Sequence, residues 1–250
     1  MEDHLLLYLL HLADSSLILG HRNSEWTGHG PILEQDIALS NIALDQVGQA
    51  RNYYQYAAKL KGNGATEDTL AYLRGERDYR NWLLTEQTNG DWARTILRQF
   101  FTGAAQFFLY QRLQYSADPA IAAVSAKALK EVTYHLRWSG EWVIRLGDGT
   151  EESHARMNNA LADLWKFTGE LTTPAPYELY LSRENIAVNP ALIKDEWMEK
   201  ITAVFSEAGL SVPGDTWMQE GGKTGFHTEH LGYILAEMQF LQRAYPGNQW

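Results

Sequence analysis

Four long amphipathic segments, separated by short polar breaks, constrain this chain more than any other feature. The first is expected over residues 3–20, ended by a loop that reaches Gly30 and Pro31. The second is expected over 32–60 and stops at Lys61-Gly62-Asn63-Gly64. Asp91 reads as the cap of a third, running to Ala117. Asp118-Pro119 reads as cap and first residue of a fourth, running to Leu146. A shorter charged helix over 66–81 is expected to lie across these, and a fifth helix, over 150–169, follows Gly147-Asp148-Gly149. From 171 to 225 the pattern is broken by Pro174, Pro176, Pro190, Pro213 and Gly221-Gly222, with one helix over 190–208. A last helix is expected over 228–243, and no strand-period stretch of useful length occurs. Helices of roughly 18 to 29 residues joined by short loops pack as a bundle. The expectation is an all-α chain in one domain, 1–250, with a core bundle over about 1–170 and an irregular connection plus C-terminal helices over 171–250.

Charge and composition exclude several functions. The chain has 21 Lys and Arg against 31 Asp and Glu, a net charge of -10, and no clustered basic stretch that could neutralise phosphates. It has no cysteine, which removes disulfides, zinc–thiolate sites, iron–sulfur clusters and thiol nucleophiles. The apolar run Leu5 to Leu10 follows Glu2 and Asp3 where a signal peptide needs positive charge, and His11 and Asp14 interrupt it. No stretch approaches the roughly 20 apolar residues of a membrane span. The expectation is a soluble, cytoplasmic protein.

The polar residues on the inward faces carry the functional information. At about 100° per residue, Leu39, Ile42, Gln46, Gln49, Tyr53, Ala57 and Leu60 form one stripe of the second helix, so two glutamines point inward at mid-helix. On the fourth helix Ile121, Val124, Ala128, Glu131, His135, Trp142 and Leu146 share a stripe, with Tyr134 at its edge. Dinuclear iron in a helical bundle takes about four carboxylates and two histidines, including a Glu and a His three residues apart on each of two helices. Gln46 and Gln49 stand at that spacing, as do Glu131 and Tyr134, but the amides are neutral and poor metal ligands. The third helix has no Asp or Glu at all; Ile96, Leu97, Phe100, Phe101, Phe107 and Phe108 fill its core face. The first helix offers only Asp14. Asp14, Glu131 and His135 are too little charge to hold two iron ions. The amides read either as a former metal face or as a hydrogen-bonded layer that fixes helix register, and Glu131 and His135 as a buried pair or as a lone mononuclear ligand pair.

Two further patterns attract notice. His227 and His230 can share a face at the start of the last helix but lack companion ligands, and they read as a polar helix end. Gly221-Gly222-Lys223-Thr224 looks like the end of a phosphate loop, yet Trp217 stands where that motif needs its first glycine and no strand precedes it. No Ser lies in a Gly-x-Ser-x-Gly elbow. The aromatic residues of the third helix, Phe100 to Tyr115, spread wider than one core face and suit a partner helix as well as a core.

Several blocks carry a family resemblance. Ser24-Glu25-Trp26-Thr27-Gly28-His29, the run from Ile37 through Asp45 to Asn52, Ala126 to Arg137, Gly221-Gly222-Lys223, His227 to Gly232, Ala236 to Gln239 and the closing Pro246-Gly247-x-Gln249-Trp250 resemble the PaaC family. These are the structural subunits of bacterial phenylacetyl-CoA epoxidases, and the likeness runs over essentially the whole length. The resemblance implies a ferritin-like fold and a role in aerobic phenylacetate breakdown. It implies a partner, a PaaA-type subunit whose diiron site puts one oxygen atom of dioxygen into the aromatic ring of phenylacetyl-CoA as a 1,2-epoxide. It implies further epoxidase subunits and electrons from NADPH through a reductase carrying FAD and a 2Fe-2S cluster. Asp45-Gln46-Val47-Gly48-Gln49 resembles an Asp-Glu-Ala-Gly-His stretch of the catalytic subunit with both metal ligands replaced by Gln.

The expectation is a silent subunit with no catalytic or metal-binding residue, its degenerate metal positions being Gln46, Gln49, Glu131, Tyr134 and His135. Two alternatives stand beside it. One is an independent ferritin-like, metal-dependent oxidoreductase using Glu131 and His135, with Asp14; the other is a homodimeric ferritin-like binding protein.

Overall fold

A computed structural model describes residues 1–214 and 216–248; Gln249 and Trp250 of the closing motif lie outside the described residues. Its four long helices are α1 (Glu2–Ser24), α2 (Leu33–Lys61), α5 (Trp92–Leu113) and α6 (Pro119–Gly147), with the short α3 (Glu67–Tyr72) and α4 (Leu83–Glu86) between the two pairs. The chain continues through α7 (Glu151–Leu164), α8 (Pro176–Ser182), α9 (Lys194–Glu207), α10 (Glu229–Met238) and α11 (Phe240–Ala244), with no strand among the described residues. α1 packs along α2 and α5 along α6, and the two pairs meet across α2 and α6. The fold is an all-α, ferritin-like bundle. No helix is long and apolar enough to cross a membrane among the described residues.

The caps read from sequence hold the long helices. The Asp91 carboxylate accepts from the Arg94 N–H at 3.0 Å, and Asp118 accepts from Ala120 and Ile121 at 2.9 and 3.0 Å. Pro119 occupies the first turn, where its missing N–H costs nothing. Two large apolar clusters follow. One gathers Phe100, Phe101, Trp165, Trp197 and Phe205 where α5 meets α7 and α9, and the other gathers Tyr8, Leu9, Tyr53, Tyr54, Tyr110 and Ile121 where α1, α2, α5 and α6 meet.

Several boundaries differ from expectation, each for a tertiary reason. α1 continues four residues past Gly20, because Gly20 serves a helix–helix contact: a Cβ there would stand 3.1 Å from Val47 Cγ2 and 3.2 Å from the Ala43 carbonyl on α2. The helix expected over 66–81 stops at Tyr72. Arg74 turns into the core, pairs with Asp14 and lies 4.2 Å over the Tyr79 ring, so the chain cannot continue helical. The last helix breaks at Gln239, whose buried amide donates to the Arg74 carbonyl and the Tyr79 hydroxyl, both at 3.1 Å. α7 ends at Leu164 and passes into two short 3-10 turns, and the helix expected over 190–208 opens with a 3-10 turn at Pro190–Ile193. α8 lies among the prolines of 171–225, where the pattern predicts no helix; Pro176 begins it, and Glu178 caps it by accepting from the Ala175 N–H at 2.7 Å.

Buried ions tie the irregular C-terminal third to the bundle. The phosphate-loop look-alike wraps a carboxylate of the chain itself: Glu170 Oε1 accepts from the Gly221 and Lys223 N–H groups at 3.0 and 3.2 Å, and Oε2 from the Leu83 N–H at 3.0 Å. Gly222 must be glycine, since a Cβ would collide with the Asn81 carbonyl oxygen. Burial pushes the Glu170 carboxyl above the ordinary range, while those N–H groups and Lys223 oppose the rise. Lys223 Nζ reaches Glu178 Oε2 at 2.8 Å, both side chains buried. His227 stands 2.9 Å from Glu86 Oε2 and 3.1 Å from the Tyr79 carbonyl, so it joins the last helix to the bundle.

Candidate functional site

The helical period of α2 and α6 turns Gln46, Gln49 and His135 into the bundle, fully or nearly fully buried, and α5 supplies Gln106 from the opposite side. Gln46 and Gln106 form a reciprocal amide pair: Gln46 Nε2 donates to Gln106 Oε1 at 2.9 Å, and Gln106 Nε2 donates to Gln46 Oε1 at 3.1 Å. The second Gln46 N–H points at His135 Nδ1, 3.5 Å away. His135 Nε2 stands 2.9 Å from Asp45 Oδ2, a partly exposed carboxylate that can only accept, so Nε2 donates and Nδ1 is left to face the Gln46 amide. Gln49 Nε2 donates to Glu131 Oε2 at 2.9 Å, and the Tyr110 hydroxyl donates to Gln49 Oε1 at 3.4 Å. Every amide nitrogen and oxygen of Gln46, Gln49 and Gln106 has a partner in this chain of bonds, as a buried polar layer requires.

Phenols border the layer and stay protonated. Burial pushes the Tyr110 hydroxyl up to about 12, against the lowering influence of Ser16 and Tyr53. Tyr53 is also raised, chiefly by burial, and its hydroxyl lies 3.2 Å from Ser125 Oγ.

Of the residues singled out by sequence, Gln46, Gln49, Glu131 and His135 are brought together, and Tyr134 and Asp14 are not. Glu131 keeps 20% side-chain exposure and reaches Lys127 Nζ at 3.7 Å with its other oxygen. Tyr134 is 39% exposed on the outer face of α6, where the Arg137 guanidinium lies 5.9 Å over its ring. Asp14 is fully buried but belongs elsewhere: Arg74, the Tyr54 hydroxyl and the Arg80 N–H saturate its carboxylate. Asp14 is therefore corrected from a candidate ligand to a structural counterion. Sequence reasoning missed Gln106 and Asp45. A search for charged ligands passes over a glutamine, though two amides seven residues apart on the apolar face of α5, Gln99 and Gln106, were a readable signal.

This set does not fit a pair of iron ions. The centre of the layer is filled by two neutral amides bonded to each other, both imidazole nitrogens face partners, and Glu131 is engaged on both oxygens. Among the described residues no group of three or more His, Asp or Glu side chains is placed to hold a metal. Hard and borderline cations need anionic oxygens and free imidazole nitrogens.

Fold and layer together define a class: an all-α, ferritin-like bundle whose centre is closed by a hydrogen-bonded amide pair. The chain belongs to the family of phenylacetic acid catabolic proteins, whose PaaA_PaaC model matches residues 1–250. It is 50% identical over 248 residues to the C component of the 1,2-phenylacetyl-CoA epoxidase of Escherichia coli (strain K12), an overlap of 99% of this chain and 100% of that protein.

Proposed function

We propose that this chain is a silent, structural subunit of a phenylacetyl-CoA 1,2-epoxidase in the cytoplasmic breakdown of phenylacetate. In this reading it binds a PaaA-type subunit that holds the diiron centre, and NADPH, FAD and 2Fe-2S chemistry belongs to a reductase. The observation that carries the reading is the reciprocal Gln46–Gln106 pair at the centre of the bundle. Amides there preserve packing and register while removing the anionic oxygens that iron needs. The likeness to an epoxidase component supplies the reaction to which such a scaffold belongs. A scaffold acts thermodynamically: by binding only the folded form of the catalytic subunit, it stabilises that form by mass action.

Co-expression with the catalytic subunit tests this. The expected result is a stable complex whose epoxidation needs both chains; a catalytic subunit equally soluble and active alone contradicts it. Glu131→Gln with His135→Gln distinguishes the enzyme alternative. Activity of the assembled complex is expected to survive, and its loss with folding and assembly intact would assign chemistry to this chain.

A further inference from the structure

The outer face of α2 carries large aliphatic side chains where a solvated helix carries polar ones. Leu33 is 71% exposed, Ile37 52% and Leu44 69%, with Ile32 and Val47 also exposed beside them. Leu33, Ile37, Leu44 and Val47 follow one another at spacings of four, seven and three residues, with Ser40 filling the gap, and this is the repeat of a helix–helix seam. At a rise of 1.5 Å per residue the stripe is about 21 Å long. Gly48 edges it with nothing within 4 Å of the place a Cβ would occupy, so the backbone there is open to close approach. Other exposed apolar side chains stand singly, as Trp217, Phe226 and Tyr233 do, or as neighbouring pairs on short helices, Leu179 and Tyr180 on α8 and Phe240 and Leu241 on α11.

Charge identifies the occupant. At about 100° per residue Glu34 and Asp45 fall on the same flank of the stripe. No Lys or Arg occurs between residues 31 and 50, and among the described residues neither carboxylate pairs with one. Laid antiparallel on a second copy so that Leu33 meets Val47 and Ile37 meets Leu44, α2 would bring Glu34 of each copy beside Asp45 of the other. Like charges so placed oppose self-pairing, and a basic flank on a different chain would relieve them.

We propose that this face of α2 docks the metal-bearing partner, through a helix whose apolar stripe is flanked by Lys or Arg. The identity of the partner rests on the function proposed above; the position and chemistry of the contact rest on α2. Because Gln46 and Gln49 lie on the opposite face of the same helix, the amide layer holds the docking stripe in place from behind.

The test uses full-length chain and purified catalytic subunit, with folding of each variant checked by circular dichroism and its unfolding midpoint. Ile37→Glu with Leu44→Glu is expected to weaken binding by about 100-fold or more, as loss of central apolar anchors does. Glu34→Lys is expected to slow association several-fold, on the order seen for rim charges, with a smaller dependence on salt. In a chain without native cysteine, Asn41→Cys labelled with a benzophenone maleimide is expected to cross-link to the partner, and Lys130→Cys on the outer face of α6 is not. If the unaltered chain fails to bind the catalytic subunit, the proposed function falls. If it binds and the double variant binds as well, or cross-linking comes from position 130 alone, the docking assignment falls and the function stands. An α2-dependent dimer of this chain in sedimentation would also overturn the assignment, in favour of a second copy.

Discussion

The amide layer and the ionic cluster around Asp14 solve the same problem in opposite ways. Both bury polar groups in the bundle, and both satisfy them. The layer does so with neutral glutamines that bond to each other and to one histidine. The ionic cluster does so with full charges: Asp14 against Arg74 and Glu178 against Lys223. This fold therefore tolerates buried carboxylates, yet the centre of its amide layer has none; Asp45 and Glu131 meet the layer only at its partly exposed edges. The carboxylates it does bury are consumed by cations and N–H groups. A buried acid with its oxygens already saturated has nothing to offer a metal, whereas an acid awaiting a metal must be left underdonated until the ion arrives.

Removing one partner from the ionic cluster should break the comparison most forcefully. Arg74→Met leaves Asp14 uncompensated at zero exposure, and the expected loss is about 3–5 kcal/mol of unfolding free energy in urea. The second test is pH. His11 donates from Nδ1 to the Arg80 carbonyl at 2.7 Å, its Nε2 has no hydrogen-bond partner, and burial holds its pKa at about 4. With the folded value below the unfolded one, the native state binds fewer protons. Stability then rises with pH across this window and is lost as pH falls from 6.5 towards 4. His11→Gln should remove about 3 kcal/mol of that acid sensitivity, read from unfolding midpoints across the same window.

The amide layer should respond more mildly, and in a pattern that identifies neutral pairing. Gln46→Leu alone strands Gln106 and should cost about 1–3 kcal/mol, while Gln46→Leu with Gln106→Leu should recover most of it, because both partners leave together. A double variant no better than the single would mean that the layer does more than satisfy its own hydrogen bonds. The smallest effect belongs to the surface: Leu44→Ser should change the stability of the isolated chain by no more than about 0.5 kcal/mol. A larger loss would mean that the α2 stripe is packed against this chain.

The long helices were legible because their signals are local. Asp91 and Asp118-Pro119 cap within three residues of themselves, and the inward faces of α2 and α6 follow from a period of 3.6. That same period placed Gln46, Gln49 and His135 in the core. The breaks at Arg74 and Gln239 were illegible because each side chain is drawn out of helical register by a partner on a distant segment, which no local pattern reports. Asp14 failed as a ligand for that reason: its inward position was readable, its counterion was not. Gln106 was visible but carries no charge, so a count of metal ligands passed over the residue that completes the layer.

The central claim is that the middle of this bundle holds amides in place of a metal centre. Iron content after anaerobic loading with ferrous ion and desalting tests it most directly. Less than about 0.1 iron per chain is expected, since neutral amides and engaged side chains give iron no anionic ligand set. About one or two irons per chain, removed by Gln46→Leu, would contradict it.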